Sequence, residues 1–382
     1  MATLKSVPVR LPADKVPTKR MVRDIIGTFL TQEWPSVNLE SLQMSHRVNF
    51  ANAHCPVERP NTTNDASIEP LRVFIKFHEK PEIDIEIFKH LAPRKDQEAL
   101  LCHDFGQSES GHGAKVHGFF QTEDGTLGRV DEFLDARNME PEDVEDGAIR
   151  ADIAKAMANF SAMESSVPGT PVAAYYDAMV PGLQKYHKLE KLKALGKEGG
   201  VSMDSLVDYD FASRVRIVVD AMEAIKAKAG WCIHDVQFMN TMVKNHPQPY
   251  ESKVALIDFE LVMRNYRGFD IGGHFMQKMF KWFDEKSKIA DCRKYSDVEK
   301  RHFCDEYAKE WNRVTGDADT GEQVLREAEY GYMLAITFDI HNMLWYMAKE
   351  DDKDPLNLEA LNKLYDEFSG QYRKLGLESQ VN

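Results

Sequence analysis

Asp235 and Asn240 lie five residues apart in Trp231-Cys232-Ile233-His234-Asp235-Val236-Gln237-Phe238-Met239-Asn240, with Gln237 between them. In phosphoryl transfer to a hydroxyl, one carboxylate orients the acceptor and takes its proton, while oxygen ligands hold Mg²⁺ against the phosphates. An Asp followed at this distance by an Asn supplies both from one loop. Eighteen residues further on, Val254-Ala255-Leu256-Ile257-Asp258-Phe259-Glu260 reads as an apolar strand tipped by a carboxylate, a rigid mount for a second metal ligand at Asp258. Taken singly, the Asp-to-Asn spacing recurs by chance, and an Asp at a strand end commonly caps a turn. Loop and strand together are what a kinase-type cleft requires.

The elements that must position these groups fall into two halves. Residues 18–33 place apolar groups at helical spacing, and short β-type runs follow at 44–51, 71–78, 114–121 and 127–134. Asp124-Gly125 between the last two is a hairpin signal. A short helix is expected over 81–92 and a polar loop over 56–69. Beyond 135 the period becomes helical, over 147–163, 172–192, 203–229, 269–284, 296–314, 319–348 and 356–373, with Ser296 and Glu299 forming a capping box. Two β-like pieces, 239–244 and 252–258, interrupt this half. The pattern predicts an α+β chain with a small sheet-based N-terminal lobe (1–134) and a larger, mainly helical C-terminal lobe (135–382).

Composition narrows the function. The 382 residues are 43% hydrophobic and 29% charged, enough apolar content for a folded chain, and the net charge of −14 argues against a sequence-independent nucleic-acid binder. The five cysteines have no CxxC spacing and read as free thiols of a reducing compartment. No run approaches ~18 uninterrupted apolar residues, and the basic first thirty residues hold no signal core, so cytoplasm without stable membrane insertion is expected.

The stretch Leu256-Ile257-Asp258-Phe259-Glu260, continued by Asn265-Tyr266-Arg267-Gly268-Phe269-Asp270-Ile271-Gly272 and His274-Phe275, closely resembles the most distinctive segment of the choline and ethanolamine kinases. Val73-Phe74-Ile75-Lys76, Gly128-Arg129-Val130-Asp131-Glu132-Phe133-Leu134 and Arg373-Lys374-Leu375-Gly376 resemble other family segments in order, so the likeness spans roughly 40–376. The resemblance implies a protein-kinase-like two-lobed fold, and ATP and Mg²⁺ as cofactors. It also implies a small amino alcohol as partner, and a homodimer is compatible with it. It makes Asp235 the catalytic base, Asn240 and Asp258 the magnesium ligands, and Gln237 a phosphate-side contact. Lys76 would meet the ATP phosphates, with Asp84 or else Glu86 as its partner acid. Ser45 and His46 would lie on the nucleotide loop, and the Glu132-Phe133-Leu134 backbone would face the adenine with Arg137 nearby.

Departures from the family pattern concern the nucleotide loop and the acceptor. Leu42-Gln43-Met44-Ser45-His46-Arg47 lacks the family's paired glycines, and Ile233-His234-Asp235 stands where the family reads His-Asn-Asp. Family members hold the acceptor's ammonium with an aromatic box and a carboxylate. Here Gln277 replaces the acid, Leu261 replaces an aromatic, and Asn342 replaces one of two tryptophans, leaving Trp345, with Trp282 as a further wall. A primary ammonium is expected to bond to Gln277 and Asn342, with Asp339 the first substitute for the missing charge. Two other readings compete: a catalytically impaired kinase fold acting as a binding or regulatory partner, and a related aminoglycoside- or homoserine-type kinase.

Overall fold

The computed structural model describes residues 3–49, 52–61, 68–78, 85–350 and 354–380. The N-terminal half is built on a seven-stranded sheet of β1 (Leu4–Ser6), β2 (Gln43–Met44), β3 (Arg47–Asn49), β4 (Asn52–Glu58), β5 (Arg72–His78), β6 (Val116–Gln121) and β7 (Leu127–Glu132). Its order is β1-β6-β7-β5-β4-β2, with β3 also on β4, and all pairs are antiparallel except β1 with β6. Strand β5 shows how alternation sets the site. Val73, Ile75 and Phe77 face a core with Val22, Ile25 and Ile26 of α1 (Lys19–Gly27), whereas Phe74 and Lys76 face the other way.

The expected helix over 18–33 ends at Gly27, and the chain beyond it turns into a 3₁₀ piece, Trp34–Ser36, whose start Glu69 holds. The Glu69 carboxylate accepts the backbone N–H groups of Gln32, Glu33 and Trp34 at 2.9, 2.8 and 3.3 Å. Strand β4 runs through Pro56 into what reads as a loop, since the missing Pro N–H falls where β2 and β3 part at Ser45-His46. Of the helix expected at 81–92, the described residues hold a single 3₁₀ turn, Glu86–Phe88. The helix is instead α2 (Lys95–Gly106), whose face buries Lys95 and Glu98 beside Leu101, Cys102 and Phe105, so its apolar period is masked by charge.

The C-terminal half opens with β8 (Ala136–Asn138), α3 (Gly147–Ser161), α4 (Val172–Tyr186), α5 (Leu189–Gly199) and α6 (Phe211–Ala224). There follow β9 (Ala229–Cys232), β10 (Thr241–Lys244), β11 (Val254–Leu256), β12 (Met263–Tyr266), α7 (Gly268–Gln277), α8 (Asp297–Thr315), α9 (Gly321–Glu350) and α10 (Pro355–Lys374). The helices expected at 172–192 and 203–229 are shorter, the first broken at His187 and the second opening at its cap Asp210. Strands β8, β10 and β11 form one small sheet, and β9 pairs with β12 in another. These two ribbons mount the loops after β9 and β11 side by side.

Helices α7 and α9 meet backbone to backbone. A Cβ on Gly272 would overlap the Tyr332 amide, and one on Gly331 would overlap the Gly268 carbonyl. Only glycine permits that approach. Gly272→Ala should therefore force the helices apart and cost about 3 kcal/mol, at the upper end of overpacking penalties. An unaltered denaturation midpoint in this variant would show that the seam yields freely.

Candidate active site

A cleft of about 740 Å³ separates the large sheet from the helical half. Its walls include Asn52, His54 and Phe74 from the sheet, Asp235, Gln237 and Asn240 from the loop after β9, and Asp258 and Glu260 from the loop after β11. Trp282, Phe283, Phe338, Asp339, Asn342 and Tyr346 line it from the helical side.

The loop carrying Asp235 is held from below by the distinctive segment around α7. Asp270 accepts the backbone N–H groups of Ile233 (2.6 Å) and His234 (3.1 Å). Burial raises the Asp270 carboxyl to about 7, and those two N–H bonds oppose the rise. His234 takes a left-handed conformation, φ 65°, which turns its ring inward beneath the loop. Its Nδ1 donates to the Cys232 carbonyl at 3.1 Å, and its Nε2 accepts from Asn265 Nδ2 at 3.0 Å. Burial lowers its pKa to about 3, so the ring is neutral, as this tautomer requires. His234 thus braces the loop in spite of the apolar Ile233. The backbone turn cancels the alternation that would have pointed it away.

Asp270→Asn would leave one of the two buried N–H groups without an acceptor. The expected cost is about 1–3 kcal/mol in unfolding free energy. Equal stability of variant and wild type would remove Asp270 from this bracing role.

Asp235 receives Gln237 Nε2 on both carboxylate oxygens, at 2.8 and 2.9 Å. Burial pushes its carboxyl up to about 6, against the Gln237 bond and with help from the charges of Asp258 and Glu260. Gln237 therefore spends its amide on Asp235. Asn240 donates Nδ2 to the Asp235 carbonyl at 2.9 Å, which leaves Oδ1 to meet a cation.

Asp258 also has a left-handed backbone, φ 66°, and its Oδ1 accepts from Lys76 Nζ at 2.8 Å. Burial works against the Asp258 charge, but the Lys76 ammonium outweighs it and holds the carboxyl below its ordinary value. Glu260 is raised by burial and by Asp258, and it accepts long bonds from Lys95 and Asn52, both 3.4 Å.

Lys76 is buried between Asp258 and Glu98 of α2, the latter at 3.5 Å. Glu98 also meets Lys95 (2.8 Å) and Arg129 (3.4 Å). Burial opposes its charge, yet Lys76 and Lys95 keep it well below the usual carboxylate range. The residue expected beside Lys76, Asp84, lies outside the described residues, as does the Glu86 side chain. Glu98 is the acid the structure places there. Its position in the sequence carried no signal, because its partner Lys76 lies on another element, β5.

Other expected nucleotide contacts are more scattered. Ser45 and His46 occupy the break between β2 and β3 and are not among the residues lining the cleft. The Glu132 N–H donates to the Lys115 carbonyl at 2.8 Å, Phe133 lies under the Arg72 guanidinium at 4.4 Å, and Leu134 follows at the start of the connection to β8. The Arg137 guanidinium forks onto Asp143, both bonds 2.6 Å.

On the acceptor side, Gln277 is buried behind the wall. Its Nε2 donates to Asp339 Oδ2 at 2.9 Å and its Oε1 accepts from Trp282 Nε1 at 2.7 Å. Burial and then the Asp235 charge push the Asp339 carboxyl well above its ordinary value. Trp282 stacks on Phe280 at 4.6 Å and 3°. Asp339, Asn342, Met343 and Tyr346 share the cleft face of α9 at helical spacing, whereas Trp345 is off that row and lies under Lys349 Nζ at 5.0 Å. Starting the spacing from Asp339 points to Tyr346, an aromatic that the paired-tryptophan pattern passes over.

A family model for choline/ethanolamine kinase matches residues 88–363. Mus musculus choline kinase alpha is 27% identical over 205 residues, 52% of this chain and 43% of its own length, so the match spans less than half of that relative. Among solved structures, choline kinase from Cryptosporidium parvum aligns with a TM-score of 0.62 at 14% identity, covering 94% of this chain and 98% of that one. Plasmodium vivax ethanolamine kinase gives 0.56 at 16%, covering 92% and 89%. At those identities the two structures establish the protein-kinase-like fold. The family model runs through the loop bearing Asp235, the brace at Asp270 and the face of α9, and the chain belongs to the choline/ethanolamine kinase family.

Proposed function

We propose that this chain transfers the γ-phosphoryl group of ATP to the hydroxyl of choline or ethanolamine, as a step in phospholipid head-group synthesis. The carrying observation is convergence: Asp235, Asn240 and Asp258 face one cleft, with Lys76 held beside them by Glu98. Asp235 would orient the acceptor hydroxyl and take its proton as the oxygen attacks the phosphorus and ADP leaves. Lys76 would meet the phosphates as a point charge.

The donors offered to a metal, Asn240 Oδ1 and the Asp258 carboxylate, are oxygens only. They suit Mg²⁺, which takes one or two carboxylates together with phosphates and water. When bound, the ion supplies neutralisation of the phosphate charge. The Glu132-Phe133-Leu134 segment is our choice for the adenine side, and we place the lobe boundary between 134 and 135. In support, β7 ends in the large sheet at Glu132, and β8 begins in the small one at Ala136.

No helix among the described residues is long and apolar enough to cross a membrane. The five unpaired cysteines suit the reducing cytoplasm, where we place the protein. The test is ADP release by the purified chain with Mg²⁺ against ethanolamine, its N-methylated forms and choline. Release that does not depend on an acceptor would sink the proposal, and the impaired-kinase reading would replace it.

A further inference from the structure

We infer that Asp339 of α9 is the acid that holds the acceptor's ammonium in this chain, that Gln277 and Trp282 lock it in place, and that the site selects amines bearing an N–H over quaternary ones. The inference rests on the kinase reading and names the substrate class within it.

Three observations carry it. The first is the direction of the Gln277 amide. Its oxygen accepts from Trp282 Nε1, its nitrogen donates to Asp339 Oδ2, and Gln277 is not among the residues lining the cleft, so it acts as a positioning residue. The inference places the ammonium on Asp339 and not on Gln277 itself. The second is that Asp339 lines the cleft with only Oδ2 engaged among the described residues, which leaves Oδ1 for a donor from the cleft. With one neutral partner and another acid, Asp235, acting on it, the buried Asp339 carboxyl is held towards its protonated form, and a cation beside it is what would stabilise its charge. An acceptor ammonium supplies that cation and, through its N–H, the missing hydrogen bond.

The third concerns what surrounds Oδ1. Asn342 stands one helical turn along from Asp339 on the same wall, with its Oδ1 3.5 Å from His341 Nδ1. One face of Trp282 is covered by Phe280, and Leu261 is aliphatic. A trimethylammonium has no N–H and must be held by aromatic faces around it. Phe283, Phe338 and Tyr346 line the same cleft, but the hydrogen bond that Asp339 Oδ1 can accept is one that only an N–H donor makes.

The pairing also predicts that returning an acid to position 277 does not restore choline binding. In Gln277→Glu the new carboxyl would lie in hydrogen-bond contact with Asp339, and two carboxyls so placed share a proton and carry one charge between them.

The experiment is steady-state kinetics with ethanolamine, N-methylethanolamine, N,N-dimethylethanolamine and choline on wild type, Asp339→Asn and Gln277→Glu, with direct titration of Mg·ATP binding. Asp339→Asn keeps an oxygen for the Gln277 amide, and its folding is checked by its melting curve. Wild type should favour ethanolamine over choline by about tenfold in kcat/KM. Asp339→Asn should raise the ethanolamine KM by about 10- to 100-fold, the worth of a charge-assisted hydrogen bond, with Mg·ATP affinity held. Gln277→Glu should change the choline KM by less than about threefold.

Choline as the preferred acceptor, or an ethanolamine KM untouched in folded Asp339→Asn, would overturn the inference while leaving the kinase reading standing. A wild type that binds Mg·ATP and turns over none of the four amines would overturn the kinase reading, and the inference with it.

Discussion

Asp235→Asn is expected to lower kcat by two to four orders of magnitude while Mg·ATP affinity stays within about threefold. The asparagine keeps the size of the side chain, and the loop keeps its brace, because Asp270 bonds the backbone of Ile233 and His234 and not the side chain at 235. One contact must readjust. Gln237 now donates to both oxygens of Asp235, and an amide there would set nitrogen against nitrogen until Gln237 turns over and presents its own oxygen. What cannot be restored is a group able to take the acceptor's proton. Activity within tenfold of wild type would show that Asp235 is not the base. A matching loss of nucleotide affinity would assign it to structure.

The other large effect belongs to Asp258→Ala. It should lower kcat/KM by about three orders of magnitude, the several kcal/mol by which a bound metal stabilises phosphoryl charge. The loss should appear chiefly as failure to bind Mg·ATP in a calorimetric titration. Lys76 loses its 2.8 Å partner in this variant but keeps Glu98, so the ammonium is not stranded and the fold should survive. The small residue also meets the left-handed φ of 66° no better than Asp does, so strain is not relieved to mask the effect. Equal Mg·ATP affinity in variant and wild type would remove Asp258 from the metal site.

Much of the site was legible because its parts lie close in sequence. Asp235, Gln237, Asn240 and Asp258 come from two short loops, and a fixed spacing is visible without a fold. The groups that escaped notice act across distance. Glu98 pairs with a lysine on another element, from a helix whose inward face carries charges that hide its period. Asp270 was visible as part of a matched segment, but its work on two backbone N–H groups 36 and 37 residues away is a fact of packing.

The orientation of Gln277 was likewise out of reach. A sequence shows that an amide has replaced an acid, but not that both ends of the amide are taken. In the fold, the misread elements include those shaped by a single tertiary contact, such as the Glu69 carboxylate that holds residues 32–34 beyond α1. The four-residue ribbons β9 and β12 were too short for alternation to register.

The glycine seam between α7 and α9 has a consequence for how this protein can change. Helix α7 carries the brace under the catalytic loop and ends at Gln277, while α9 carries Asp339, Asn342 and Tyr346. Where glycine lets the two backbones touch, and with Gln277 bonded to Asp339 across the pair, α7 and α9 are tied to move as one body. Distances from the attacking hydroxyl's seat to the ammonium's seat are then set like marks on a single ruler. On the proposed reading, substitutions on the cleft face of α9 would retune which amine is accepted while the groups around Asp235 keep their places, so that acceptor choice can drift through evolution while the chemistry stays fixed. A substitution at the seam itself would shift both marks together, and no gain in one is available there without loss in the other.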